Sequence, residues 1–236
     1  MKSQIFNIFV AVCLFFSLSS SGYGVDEPRQ SPKDKPEGRD APLWDKGHDQ
    51  KSVKVPVIRT IRKGLLRIGN VTIHKNEGFV SMKGEVNMNE GLVEYLACGP
   101  RGKLHESVLK LDIEPHYLQI ALLLIGLEPG KKPLRRQGDP AIPEGDPVEI
   151  WVTWMSKDKK MIKHRAEDLI LNKKTNTPMK KTQWVFTGSQ IIRGRFMAGV
   201  EHSIVATYHD PYALLDHTLP AGADDTLYFA NPDVVP

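Results

Sequence analysis

Pro115-His116-Tyr117-Leu118-Gln119-Ile120-Ala121-Leu122-Leu123-Leu124-Ile125-Gly126 is the stretch on which the fold turns. Proline suits a first helical position, where its missing N–H forfeits no bond, and glycine suits the residue just past a helix end. Between them Leu118, Ile120, Ala121, Leu122, Leu123, Leu124 and Ile125 leave little polar face. A helix apolar nearly all round is a buried helix, and about three turns are too few to cross a bilayer. The reading is therefore one buried helix over about 115–126, forming the centre of the core, with Leu122 and Leu123 both packed inside.

On either side of this helix the sequence reads as strand. Upstream, Val71-Thr72-Ile73-His74 alternates, and Phe79–Val86 does so more loosely. Asn87-Met88-Asn89-Glu90-Gly91 then turns the chain into Leu92–Cys98. Gly99-Pro100-Arg101-Gly102 turns it again into Ser107–Leu111. Downstream, Glu128–Asp146 is a loop rich in proline, glycine and base. Val148–Trp154 alternates strictly, placing Val148, Ile150, Val152 and Trp154 on one face. Ala166–Leu171 fits a strand or a single helical turn. Trp184–Thr187, Ser203–Tyr208 and Leu227–Phe229 read as further strands. Closely spaced strands with Gly, Pro and Asn turns indicate antiparallel hairpins. The expected fold class is α+β: a mostly antiparallel β-sheet with one buried central helix.

The N-terminus carries a different signal. Lys2 precedes the apolar block Ile8–Phe16, which softens into Ser19-Ser20-Ser21-Gly22-Tyr23-Gly24. That is the order of a secretory signal peptide over residues 1–24, with Gly22 and Gly24 at the −3 and −1 positions. The block is too short for a permanent membrane span. Residues 25–52 read as a disordered linker, broken by Pro28, Pro32, Pro36 and Pro42 and filled with mixed charge, with few apolar residues to anchor it, Trp44 among them. Residues 53–236 then form a single β-rich domain. Localisation follows as exported, periplasmic or extracellular.

The chain has 236 residues, a net charge of +4 and two cysteines. A modest basic excess in an exported protein argues against nucleic acid and permits weak attraction to anionic envelope polymers. Cys13 lies in the leader, so Cys98 is left without a partner for an internal disulfide. No cysteine-based zinc site or iron–sulfur cluster can be built from one thiol. Cys98 reads as a small buried hydrophobe. Phosphate-cradling glycine loops are absent, which argues against nucleotide binding.

Six stretches, taken in order, resemble the YdjY-type domain family of bacterial exported proteins. They are Gly102–Ser107, Ala121–Gly126, Gly145–Val148, Arg165–Leu169, Trp184–Ser189 and Tyr208–Ala213, spread across roughly Gly64–Pro236. The resemblance implies one exported domain and no established activity. Some members carry ferredoxin-like labels, which cannot transfer to a chain with one surviving cysteine. The family often has a His just before its Ala-Leu-Leu stretch, where Gln119 lies here. Members also run past the Asn-Pro near the C-terminus into one more strand, which leaves open how the sheet closes here.

Two clusters carry candidate chemistry. His105-Glu106-Ser107 offers imidazole, carboxylate and hydroxyl, the parts of a hydrolase, though neighbours on an extended strand point to opposite faces. The His-Glu-x-x-His zinc pattern fails at Leu109. The plain alternative is a turn-to-strand entry whose polar groups satisfy backbone. Tyr208-His209-Asp210-Pro211, with Asp216 and His217, offers imidazole and carboxylate to a divalent metal. Asp210-Pro211 is equally a turn starter, its carboxylate capping the turn. A metal site joining His105, His209 and Asp210 is the enzymatic alternative. Asp224-Asp225 extends such a site or shapes a turn. Ser189 lacks the second glycine of a nucleophile elbow. Lysines at 157–163 and 173–181, with Arg165, read as solvated hairpin tips and edges.

The reading that follows is an exported envelope domain, a non-catalytic binding module for a protein or glycan, with no cofactor. The alternative is a metal-dependent hydrolase with a His/Asp site.

Overall fold

Alternation every second residue builds most of this molecule. The computed structural model describes residues 5–11, as backbone, and residues 57–236. The linker over 25–52 and the rest of the leader lie outside the described residues. In chain order the strands are β1 (Ile5–Ala11), β2 (Ile58–Arg62), β3 (Leu65–Ile68), β4 (Val71–His74), β5 (Phe79–Val86), β6 (Tyr95–Cys98) and β7 (Ser107–Leu111). Helix α1 (Pro115–Leu124) follows, then β8 (Asp146–Met155), β9 (Met161–Arg165), β10 (Ile170–Asn172), β11 (Thr177–Pro178), β12 (Trp184–Phe186), β13 (Ile191–Ile192) and β14 (Arg195–Phe196). Helix α2 (Met197–Glu201) leads into β15 (Ser203–Ala206), β16 (Leu215–His217) and β17 (Tyr228–Ala230).

Twelve strands share one sheet. From β8 it passes through β12, β16, β15, β6 and β7 to β5. β1 lies between β5 and β8, antiparallel to both, and so closes these strands into a ring. β4, β3 and β2 extend from β5 as a meander, and β9 folds back on β8. β10, β11 and β17 form a separate small sheet. The fold is mostly β and largely antiparallel, as the alternation implies. Among the described residues no helix is long and apolar enough to cross a membrane.

The alternating faces become the core. Val80 and Met82 on β5, and Val148, Ile150 and Val152 on β8, are buried together with Trp184 and Phe186 on β12. Ala166–Leu169 is a 3-10 turn feeding β10, so both readings of that segment hold in succession. The helix is where the structure corrects the sequence. α1 ends one turn-residue before Gly126, which sits at φ +95 and makes the left-handed exit that glycine allows. Only one side is covered, however: Leu118, Ala121 and Leu122 are buried, while Leu123 is 45% exposed. α1 packs on β4, β5 and α2. An all-apolar helix carries no periodic signal to say which face is covered.

Arg165 corrects a second expectation. It is not a solvated base; its guanidinium donates to Glu149 and to the fully buried Glu167, and also to the Thr182 carbonyl. Lys163 lies over the Trp151 ring at 4.1 Å, and Lys181 donates to Asp168. Cys98 is buried, as its residue type suggests, and burial pushes its thiol up to about 12.

Candidate functional site

Two parallel strand pairs set up the site. β6 and β7 are parallel, as are β15 and β16, and β6 and β15 join them antiparallel. Parallel neighbours ordinarily need a connection of about a dozen residues or more. Here each is joined by a short one, residues 99–106 and 207–214. The second connection runs through the interior: Thr207, His209, Asp210, Ala213 and Leu214 are all buried. A buried connection must satisfy its backbone without water, and the polar side chains around it do that work.

Asp216 on β16 accepts hydrogen bonds from the backbone N–H of Asp210 at 3.0 Å and of His217 at 2.7 Å. Asp210 Oδ1 accepts from Tyr212 N at 2.9 Å, the turn-capping arrangement its Asp-Pro pair foretells. Its Oδ2 accepts from the Tyr95 hydroxyl at 2.7 Å. His209 Nδ1 lies 2.9 Å from the Asp139 carbonyl and Nε2 3.1 Å from the His217 carbonyl. The His209 backbone donates to Gly222 O and accepts from Gly138 N. A Cβ on Gly222 would stand 2.1 Å from the His209 ring, so only glycine lets the backbone approach the ring this closely. Leu134 and Asp139 anchor the 128–146 loop over it.

His217 has a defined tautomer. Burial lowers its pKa to about 3, so the ring is neutral at ordinary pH. Nδ1 accepts from Leu219 N at 3.2 Å, and Nε2 therefore donates to the Thr207 carbonyl at 2.9 Å. Burial also drives Asp216 well above the carboxylate range, against the pull of its two N–H donors.

His209, Asp216 and His217 bring their ligand atoms within 4.8 Å of one another, with all three fully buried. As metal ligands these side chains are the right chemistry. Much of their bonding capacity is already in use, however. Nδ1 of His217 accepts a backbone hydrogen, both His209 nitrogens face carbonyl oxygens, and Asp216 caps two amides. A metal would have to displace bonds that hold the crossover in place.

The other candidates fall elsewhere. His105 is on a single 3-10 turn, Leu104–Glu106, with its side chain 78% exposed. His105 therefore lies at the surface, while His209 and Asp210 are interior. Ser107 is buried, its hydroxyl donating to Leu109 O at 2.9 Å. Glu106 does connect with the interior: Lys103 Nζ lies 3.7 Å from it and donates to the Tyr95 hydroxyl at 3.2 Å, which in turn reaches Asp210. Gln137 donates to Glu94 Oε2 at 2.7 Å beside this chain, and burial with nearby Glu106 raises Glu94. Asp224 caps a turn through Thr226 and pairs with Lys174, which hold it down at about 2. Ser189 Oγ donates to Tyr212 O and accepts from Ala198 N, a structural role.

Tyr95, Lys103, Gln137 and Asp139 did not stand out as site residues in the sequence. They are scattered over strand and loop with no motif spacing. The one available hint was that a buried Tyr hydroxyl needs a polar partner.

No curated protein and no solved structure matches this chain. The model of the YdjY domain family matches residues 71–236, which takes in the meander from β4 onward, both parallel crossovers and the His/Asp cluster. The chain belongs to the YdjY domain family.

Proposed function

We propose that this chain is exported and that its folded domain is a non-catalytic binding module of the cell envelope, with a protein as its partner. The observation that carries the reading is the state of the His/Asp cluster. Its most reactive groups are fully buried and bonded to backbone, and they hold a crossover loop in shape. A catalytic acid, base or ligand needs reach to a reacting atom. Export rests on the leader-like order of residues 1–24.

Elemental analysis of the protein recovered after export, with intact mass on the same sample, tests both parts. The expected mass begins near Val25, and transition metal is expected well below one per chain. A near-stoichiometric metal that disappears in His209→Ala would put a metal-dependent hydrolase in place of the binding module. A mass that retains residues 1–24 would remove export.

A further inference from the structure

The ring of strands has one seam unlike the others. β5 spends one edge on two partners, β4 along 79–82 and β7 along 84–86. β8 pairs with β12 at one end and β9 at the other. Between β5 and β8 stands β1, opposite residues 79–85 of one and 149–153 of the other. β1 belongs to the segment read as a cleaved leader. Its removal leaves two strand edges facing each other across the width of one missing strand, about 9–10 Å. Such edges are templates for an incoming strand.

We infer that the processed protein takes an extended segment of a partner protein into this slot, antiparallel to both β5 and β8, as an added β-strand. This rests on the reading that residues 1–24 are removed. The walls state what the segment must carry. Register places Phe6 opposite Gly84, Ile8 opposite Met82 and Val152, and Val10 opposite Val80 and Ile150. Met82, Val80, Val152 and Ile150 are buried, and Gly84 presents no side chain. The fitting segment therefore has apolar residues at three alternate positions, the one facing Gly84 free to be large. Residues 79–85 and 149–153 contain no proline, so neither wall lacks a backbone donor.

The chain's own linker does not meet this requirement. Prolines at 28, 32, 36 and 42 interrupt it, and Asp45–Ser52 is polar or glycine throughout. A second processed copy carries the same linker and offers nothing better. That leaves a different protein as donor.

The test uses the full chain with a protease site introduced between Leu14 and Gly24. The probe is a fluorescent synthetic peptide of the Ile5–Ala11 sequence with two lysines appended for solubility. After cutting, the chain is expected to take up the probe saturably, and the uncut chain to bind it at least about tenfold more weakly. A peptide with Ile8→Pro, which cannot complete the ladder, is expected to lose at least about tenfold in affinity. Amide exchange should slow at 79–85 and 149–153 on binding. Equal uptake by cut and uncut chains, equal binding of the proline peptide, or no uptake by a cut chain that remains folded by circular dichroism would each overturn the slot. The mass of the exported protein decides separately whether the slot is ever vacated. A retained leader would remove the export reading and the partner strand with it, because β1 would keep the slot filled, whereas failed peptide uptake by a chain shown to lose its leader would remove the slot alone.

Discussion

The two short crossovers, residues 99–106 and 207–214, solve the same connection in opposite ways. Each joins a pair of parallel strands that share a central antiparallel seam. The first stays near water and carries an exposed His105. The second dives inside and carries a fully buried His209. The first connection turns on itself, with Gly102 N–H donating to Gly99 O, Leu104 N–H to Gly102 O and Glu106 N–H to Lys103 O, and leaves the His105 side chain at the surface. The second must find internal partners for its polar groups, and Asp210, Asp216, His209 and His217 supply them. A dense His/Asp cluster can thus record the burial of a loop as readily as a reaction.

The sharpest way to break the comparison is Asp216→Ala. It strands two buried N–H groups, of Asp210 and His217, at about 1–3 kcal/mol each, and opens a small cavity besides. The expected loss is roughly 5 kcal/mol in urea unfolding. A loss under about 1 kcal/mol would mean the crossover does not need its cap.

The next effect is on pH. His217 has a folded pKa of about 3 against 6.5 in the unfolded chain, so the unfolded state binds the extra proton in that window. Stability from this group is full above about pH 6.5 and drains away as pH falls toward 3, by about 5 kcal/mol in all. Asp216 works with the opposite sign. Its raised value adds stability below the ordinary carboxylate range, which is lost as pH rises through its folded value. In urea melts from pH 7 to pH 4 the native chain should lose stability relative to His217→Gln, which keeps only the opposing Asp216 contribution. Parallel curves would show that His217 is not the group being charged.

The smallest effect belongs to the exposed loop. His105→Ala removes a surface imidazole whose near charge is Glu106 at 3.7 Å, and the expected change is within about 0.5 kcal/mol. A loss comparable to that of Asp216→Ala would erase the distinction between the two crossovers.

Much of the sheet was legible because alternation is a local signal. Val148–Trp154 states its buried face residue by residue, and β8 buries Val148, Ile150 and Val152 accordingly. The reading of α1 failed at Leu123 because a helix apolar all round has no marked side. Asp210 announced its turn through the following proline. Nothing local announced that the turn would be interior, since burial of a loop depends on what the 128–146 segment and Gly222 place over it. β1 was illegible as a strand for a related reason: a short apolar block serves a leader and a sheet equally, and its pairing with β5 and β8 is set by distant residues.

The β8–β9 hairpin and the interior crossover also differ as places where the chain can change length. At Ser156–Lys160 the tip is exposed and closed by its own hydrogen bonds, so extra residues or an inserted tag would project into solvent. Between β15 and β16 a single added residue would shift Asp210 off the Asp216 carboxylate and lift His209 from between Gly138 and Gly222. Natural insertions among family members should therefore gather at the hairpin tip and avoid 207–214, a segment that has the irregular backbone of a loop and the intolerance to length of a core strand.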